Sequence, residues 1–286
     1  MQKLLILGST GMLGHQVFFN MEKSKEFQVY DLSFRNKLRD QTIICDITDF
    51  TKLEKIIKEI RPDVLINCIG ILIEGSNQNP KNSILINAYF PHWLTSVADE
   101  IDSKVIHIST DCVFSGKKGG YLESDFRDAD DVYGRGKALG EIFSNKHLTL
   151  RTSIIGPEIK QKGEGLFHWF MKQEGEINGF TKAFWGGVTT IELSKVILSA
   201  IKQNLSGLYH VTNGISINKY DLLNLFKKYS NKNITINEVE GKHVDKSLSD
   251  TRKALNRQIP SYSKMIEEMI TLIKTNPELY NNYRID

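Results

Sequence analysis

Tyr133 and Lys137 are the two side chains whose types and spacing best suit proton transfer. They lie in the segment Tyr133-Gly134-Arg135-Gly136-Lys137, and this spacing predicts that both side chains lie on one face of a helix. A lysine ammonium beside a tyrosine favours the phenolate and lowers the phenol pKa from its ordinary value of about 10. Because about one such pair is expected by chance in this composition, its meaning depends on the elements that position it.

A strand, a glycine-rich turn and a helix are predicted in that order at the start of the chain. Residues 3–7 are an apolar run, residues 8–14 contain three glycines, and residues 15–21 have a helical pattern. In this order the glycines let the backbone approach a pyrophosphate, and the helix N-terminus offers N–H groups to it. We therefore predict a dinucleotide site rather than a plain strand-to-helix turn, with contacts at Gly8, Thr10, Gly11, Met12, Leu13 and Gly14.

The second predicted strand, residues 27–31, ends in a carboxylate and is followed by a basic side chain. The number of residues between the glycine turn and Asp31 is close to the separation at which an acid contacts the adenosine ribose in this fold. An acid at this position favours NAD. Arg35 is able to hold a 2′-phosphate bidentately, which favours NADP. The sequence leaves this preference open, with NADPH as the prediction and NADH as the alternative, and both residues are equally well explained as a solvated loop.

Further strands at residues 42–45, 63–68 and 105–109 alternate with helical segments such as residues 50–60. This alternation predicts an α/β fold with a Rossmann-like, doubly wound parallel sheet. Where the strand at 63–68 ends, Cys68, Ile69 and Gly70 are predicted to contact the cofactor. We predict an NAD(P)-binding domain over residues 1–155 and a smaller substrate-binding lobe over residues 156–286, with a stretch near 183–215 returning to the main sheet.

The composition indicates what the protein does not bind. The 286 residues carry 37 basic and 34 acidic side chains, and no basic stripe with interleaved aromatics suggests nucleic acid. Cys45, Cys68 and Cys112 lack metal-ligand spacing and fit a reducing compartment. No stretch approaches the ~20 apolar residues of a membrane span, and the first residues are too few for a signal peptide. We therefore expect a cytoplasmic protein without a metal, nucleic acid or membrane partner.

Thr110 follows the strand at 105–109, at the sheet edge where ligands bind in open α/β folds. Its hydroxyl is placed to hydrogen-bond a substrate carbonyl and orient it toward Tyr133. Thr110, Tyr133 and Lys137 are therefore a predicted catalytic triad, in which the lysine tunes the phenol and contacts the nicotinamide ribose. The alternative for Thr110 is a turn residue that bonds its own backbone.

These motifs resemble the extended short-chain dehydrogenases/reductases, and among them the dTDP-4-dehydrorhamnose reductase family. The G-x-x-G-x-x-G spacing of residues 8–14 is typical of the superfamily, and residues 61–67, 108–116, 133–141, 150–153 and 207–211 resemble the family. The resemblance implies hydride transfer from NADPH or NADH to the C4 ketone of a dTDP- or UDP-linked 4-keto-6-deoxyhexose, for surface glycan biosynthesis. It also implies adenine contacts at Asp46 and Ile47, and a tendency toward homodimers.

Position 112 separates two activities within this superfamily. The nucleotide-sugar 4,6-dehydratases carry Thr-Asp-Glu where this chain has Thr110-Asp111-Cys112, and they use the two carboxyl groups to eliminate water. Since a cysteine is a poor substitute for a carboxylate base, the sequence predicts a reductase. Asp111 is then either a substrate ligand or a structural capping residue.

The half of the chain that contacts the substrate departs from the family pattern. Ile154 stands where rhamnose-type enzymes usually have an aromatic residue, and Trp185 either supplies aromatic surface or anchors the lobe. Lys246 stands where an arginine is common, so it keeps the charge and loses the bidentate fork. The predicted substrate contacts are Thr110, Asp111, Ile154, Trp185 and Lys246.

Two other functions remain open at this level. One is an epimerase or dehydratase that recycles tightly held NAD. The other is a non-catalytic regulatory subunit similar to the methionine adenosyltransferase β subunit, because a fold does not fix a function.

Overall fold

The computed structural model describes residues 1–285, in which strands and helices alternate. The strands are β1 (Gln2–Leu7), β2 (Phe27–Ser33), β3 (Ile43–Ile44), β4 (Val64–Asn67), β5 (Lys104–Thr110), β6 (Leu148–Thr152), β7 (Ile154–Ile155), β8 (Glu176–Phe180), β9 (Ala183–Trp185), β10 (Val188–Thr189), β11 (Gly207–His210), β12 (Ile217–Asn218), β13 (Thr235–Val239) and β14 (Val244–Asp245). The helices are α1 (Gly14–Ser24), α2 (Phe50–Ile60), α3 (Ile73–Gln78), α4 (Pro80–Ser83), α5 (Phe90–Glu100), α6 (Val132–Leu139), α7 (Leu166–Lys172), α8 (Thr190–Lys202), α9 (Lys219–Ser230) and α10 (Tyr262–Thr275). A π-helical segment, Ile84–Tyr89, joins α4 to α5, and a 3₁₀ turn, Asp111–Val113, follows β5.

Seven strands form one parallel sheet in the order β11-β6-β5-β4-β1-β2-β3. The winding reverses between β1 and β4, so helices cover both faces and a crevice forms at the carboxyl ends of these two strands. This topology confirms the predicted doubly wound α/β fold. It also places the glycine turn after β1 beside the residues that follow β4.

Alternate residues of β1 contribute to two different cores. Leu4 and Ile6 pack on the face of the sheet that includes residues of α1 and α8, whereas Leu5 and Leu7 pack on the face covered by α2 and α5. All four side chains have no exposed surface. A central parallel strand that is covered on both faces consists of consecutive apolar residues. For this reason β1 could be predicted from the sequence.

A smaller lobe is built from the second half of the chain. β8 pairs with β13, and β9 lies between β12 and β14. Phe167 and Phe170 of α7 pack on Phe226 of α9, with ring centroids 5.3 and 5.5 Å apart. In contrast, β11 is an edge strand of the main sheet. The division at residue 155 stays a prediction, and Asp286, the last residue of the predicted lobe, lies outside the described residues.

Some boundaries differ from the predicted ones. β2 continues to Ser33, so Asp31 lies inside the strand rather than at its end. The helix predicted at residues 50–60 has those bounds, because the Asp49 side chain accepts a hydrogen bond from Lys52 N and caps its first turn.

Among the helices of residues 1–285, none has the length and apolar character that crossing a bilayer requires.

Candidate active site

Tyr133 is held against the turn that follows β5. Asp131 Oδ1 accepts a hydrogen bond from Gly134 N at 2.8 Å and caps α6. A Cβ atom on Gly134 would lie 2.3 Å from the Cys112 carbonyl oxygen, so only glycine permits this packing. The close approach of helix and turn places the buried Tyr133 next to Thr110.

Burial raises the pKa of the Tyr133 phenol, and the nearby Cys112 thiol adds to the shift, while a hydrogen bond with Thr110 opposes it. The phenol is therefore protonated at neutral pH. The effect of Lys137 on the phenol stays a prediction. A protonated phenol is a proton donor, which suits the reduction of a ketone.

The Lys137 ammonium is bonded to the end of β5. Its Nζ donates a hydrogen bond to Ile108 O at 2.7 Å and lies 3.4 Å from His107 Nε2. Burial lowers the pKa of this lysine to about 8, and Glu141 opposes the shift. Helical spacing defines the face of α6 on which Lys137 lies, but the side-chain direction depends on the carbonyl that the strand presents.

The Thr110 hydroxyl bonds its own turn. Its Oγ1 accepts from Cys112 N at 3.1 Å and donates to Asp111 Oδ1 at 3.1 Å. This is the structural alternative considered from the sequence, and the orienting role of Thr110 stays a prediction. Burial raises the pKa of Asp111, while the positive charges of Lys246 and Lys219 oppose the shift.

The glycine turn leaves a backbone surface without side chains beside the crevice. Gly11 N donates to Gly8 O at 2.9 Å, and α1 begins at Gly14 without a side-chain cap. A Cβ atom on Gly14 would lie 2.1 Å from Gly8 O, so the helix packs on the turn only with glycine there. Thr10, Gly11 and Met12 are partly exposed and Leu13 is buried. This arrangement fits a bound pyrophosphate.

The Asp31 carboxylate is occupied within the protein. It accepts hydrogen bonds from Ser9 Oγ at 2.8 Å and from Arg39 Nε at 3.0 Å, and its side chain is fully buried. Its predicted contact with a ribose stays a prediction, but both partners compete with it. Arg35 is exposed, with its guanidinium 4.4 Å from the centre of the Phe34 ring.

The other predicted cofactor residues lie at the same edge of the sheet. Ile69 packs against Gly8, and Ile69 N donates to Asn67 Oδ1 at 3.1 Å. Cys68 is partly buried and Gly70 is exposed. Asp46 is exposed and accepts hydrogen bonds from Thr48 N and Thr48 Oγ1, and Ile47 is buried.

Two lysines from the lobe face the turn that carries Asp111. Lys246 contributes positive charge at Asp111 and a hydrogen bond to the Cys112 thiol. Lys219, which begins α9, was not predicted. Its positive charge also opposes the rise in the pKa of Asp111, and burial lowers the pKa of Lys219 itself. No local pattern identified Lys219, because more than a hundred residues separate it from Asp111.

The other two predicted substrate residues differ in accessibility. Trp185 is only 3% exposed and packs against Tyr262, with ring centroids 5.4 Å apart. Its burial favours the alternative of a hydrophobic anchor for the lobe. Ile154 is partly buried in β7, whose partner is β10.

A buried polar network lies behind the predicted catalytic residues. Arg151 has no exposed surface, and its Nε and Nη2 donate to the two carboxylate oxygens of Glu141 at 2.7 Å each. Glu141 also accepts from Ser109 Oγ at 2.7 Å, and Arg151 Nη1 lies 2.7 Å from His210 Nε2. His210 Nδ1 is 2.9 Å from Ser249 O, so the network joins the segment after α6 and the end of β5 to the segment after β14.

Fold and site together define a nucleotide-binding α/β protein with a tyrosine and a lysine on one helix beside the crevice. The chain belongs to the family described as the RmlD substrate binding domain, whose family model matches residues 1–281.

Two of the curated relatives are about 30% identical over roughly half of the chain. A dTDP-4-dehydrorhamnose reductase from Aggregatibacter actinomycetemcomitans is 31% identical over 159 residues, which cover 54% of this chain and 51% of the relative. A probable low-salt glycan biosynthesis reductase from Haloferax volcanii is 30% identical over 143 residues, or 48% of this chain and 46% of the relative. These alignments therefore span about half the length of each relative.

The similarity to solved structures extends further along the chain. A crystal structure of dTDP-4-dehydrorhamnose reductase from Bacillus anthracis in complex with NADP has a TM-score of 0.80 and is 25% identical. The match covers 95% of this chain and 99% of that one.

Proposed function

We propose that this protein is an NADPH-dependent oxidoreductase that reduces the C4 ketone of a dTDP- or UDP-linked 4-keto-6-deoxyhexose. The observation that carries the proposal is the buried, protonated Tyr133 beside Thr110, at the crevice that follows the glycine turn. Membership in the RmlD family and similarity to 4-dehydrorhamnose reductases support the substrate class. Similarity to a glycan biosynthesis reductase supports a role of the product in surface glycans.

The residues of this chain divide the work of ketone reduction. NADPH, when bound, supplies the hydride. The Thr110 hydroxyl donates its hydrogen bond to the ketone oxygen instead of to Asp111, and Tyr133 donates its phenolic proton to that oxygen as negative charge develops there. The Lys137 ammonium stabilises the tyrosine after it has lost its proton, which is when a nearby positive charge has its largest effect.

Cys112 supports a reductase over a dehydratase. Burial raises the pKa of its thiol to about 12, so the thiol stays protonated at neutral pH. A protonated thiol does not abstract a sugar proton, and Asp111 alone does not supply the acid and base that elimination requires.

Contacts around Asp31 and Arg35 support NADPH over NADH. The Asp31 carboxylate is neutralised by Arg39, so it presents little negative charge to a 2′-phosphate. Arg35 is exposed on the loop after β2 and offers a planar donor group for that phosphate.

A cavity of about 470 Å³ supports a nucleotide-linked substrate. It opens between α7, β8 and α9, and its lining includes the aromatic side chains of Trp169 and Phe180 and the amide of Asn178. Lys219 lines this cavity and also faces Asp111, so the cavity adjoins the turn that follows β5. The aromatic side chains suit a base and Lys219 suits a phosphate, whereas Glu176, which also lines the cavity, carries the opposite charge.

The protein is expected to lose activity in alkaline solution. Because burial lowers the Lys137 pKa to about 8, the ammonium is lost as the pH rises through that value. We expect kcat/KM to fall about tenfold per pH unit above the transition, since kcat/KM reports ionisations of the free enzyme. Lys137→Met should lower kcat/KM and abolish its fall at alkaline pH. An alkaline fall of kcat/KM that persists in Lys137→Met would contradict the assignment.

Exposed apolar side chains support a homodimer. Ile84, Tyr89, Leu139 and Phe143 are each more than half exposed, and the π-helical segment packs against α6. Sedimentation equilibrium should give about twice the chain mass of 32.6 kDa, and a monomer at micromolar concentration would contradict this.

The free cysteines support a reducing compartment such as the cytoplasm, which fractionation of the source cells would test.

The direct test is an assay of NADPH and NADH oxidation with a panel of dTDP- and UDP-linked 4-keto-6-deoxyhexoses. We expect stoichiometric NADPH consumption with at least one sugar, and weaker activity with NADH. Retention of NAD through purification without net NADPH oxidation would instead indicate an epimerase or dehydratase. Co-purification of a larger enzyme without turnover of any of these sugars would indicate a regulatory subunit.

A further inference from the structure

Residues 276–285, which follow α10, return to the helix that begins after the glycine turn. Tyr280 is almost fully buried, and its Oη accepts a hydrogen bond from Gln16 Nε2 at 2.5 Å and lies 3.1 Å from His15 Nε2. Tyr280 is 264 residues from Gln16 in the sequence, so this contact is purely tertiary.

His15 carries this contact onward to the glycine turn. Its Nδ1 lies 2.7 Å from Gly11 O, and a carbonyl oxygen only accepts, so Nδ1 carries the proton. Burial lowers the His15 pKa to about 4, so the ring is neutral and Nε2 is an acceptor, with the Tyr280 hydroxyl at 3.1 Å and Gln16 Nε2 at 2.9 Å as its donors. Two consecutive hydrogen bonds therefore link Tyr280 to Gly11, whose N–H donates to Gly8 O.

A second set of contacts reaches the glycine turn at Met12. Tyr283 Oη accepts from Glu158 N at 2.8 Å, and Asn282 Nδ2 donates to Glu158 O at 3.2 Å. Glu158 Oε1 in turn accepts from Gly165 N at 2.7 Å. Gly165 is packed so closely on the glycine turn that an added Cβ would lie 3.1 Å from Met12 Sδ.

We propose that residues 276–285 are a positioning element of the dinucleotide site, which hold the glycine turn through His15 and the 156–165 loop through Glu158. The inference rests on the proposed function, since it assumes that the turn binds NADPH. Ordering this backbone before binding reduces the entropy lost when the cofactor arrives. The element therefore affects cofactor affinity more than the chemical step.

The test variant is Tyr280→Phe, which removes the hydroxyl and keeps the ring. We expect the NADPH Kd, measured by cofactor fluorescence, to rise about 3- to 10-fold, which is the loss expected for one buried hydrogen bond. The kcat at saturating NADPH should stay within about twofold. Hydrogen exchange at residues 8–16 of the cofactor-free protein should become faster.

Tyr262→Phe is the matched control, because Tyr262 is also buried and its hydroxyl donates to Ile215 O in the lobe. This control should lower thermal stability and leave the NADPH Kd unchanged. If Tyr280→Phe lowers Tm but leaves both the Kd and the exchange of residues 8–16 unchanged, Tyr280 is merely structural and the inference is overturned. If the unchanged protein does not bind NADPH, the proposed function fails and the inference fails with it.

Discussion

Tyr133→Phe is expected to lower kcat for ketone reduction by about 10²- to 10⁴-fold, the usual contribution of a positioned general acid. The phenol is buried and protonated, and its replacement removes the donor without changing the ring that packs against the turn after β5. The NADPH Kd should therefore stay within about twofold. Steady-state kinetics and a cofactor titration on the same preparation give both values.

Tyr209→Phe is a suitable control for this substitution. Tyr209 is 9% exposed, close to the 8% of Tyr133, and it lies on β11 at the far edge of the sheet. We expect its turnover to be nearly unchanged. If Tyr133→Phe retains turnover within about threefold of the unchanged protein, Tyr133 is not the proton donor.

Glu141→Gln is expected to lower the free energy of unfolding by about 3–5 kcal/mol. The substitution removes the negative charge from a side chain that binds the fully buried Arg151 through both oxygens. An uncompensated guanidinium and an amide that faces other donors then remain in the interior. Urea unfolding monitored by circular dichroism measures the change.

Glu54→Gln provides the comparison, because Glu54 forms an exposed pair with Lys58 one helical turn away. Its expected cost is about 0.5 kcal/mol or less. If the two substitutions differ by less than about 1 kcal/mol, the buried network does not contribute as described. Glu141→Gln should also lower the Lys137 pKa further, which shifts the alkaline limb of kcat/KM to lower pH.

Local patterns predicted the elements that build the crevice. The apolar run of β1, the three glycines and the helix after them were readable because each depends on residues close in sequence. The same holds for α2, where Asp49 defines the start. The order of strands and helices was then sufficient to predict the doubly wound sheet.

Side-chain partners were less predictable than elements. The spacing of Tyr133 and Lys137 indicated a shared helix, but Lys137 bonds a carbonyl of β5, a strand that ends more than twenty residues earlier. Asp31 was expected at the end of a strand, whereas it lies within β2, where Ser9 and Arg39 bond its carboxylate.

The charged network and the lobe lysine were missed for the same reason. Arg151 and His210 are 59 residues apart and meet only because β6 and β11 pair in the sheet. Lys219 reaches Asp111 only after α9 has folded against the lobe. Such contacts depend on tertiary structure, and no local pattern encodes them.

The measurement that tests the central claim most directly is the fate of deuterium from NADPH labelled at the transferable nicotinamide position. The protein is incubated with a nucleotide-linked 4-keto-6-deoxyhexose, and the product is examined by NMR and mass spectrometry. We predict one deuterium per product molecule, bonded to C4 of the sugar, and loss of this transfer in Tyr133→Phe. A product without deuterium at C4, or label at C4 with Tyr133→Phe at an undiminished rate, would contradict the account.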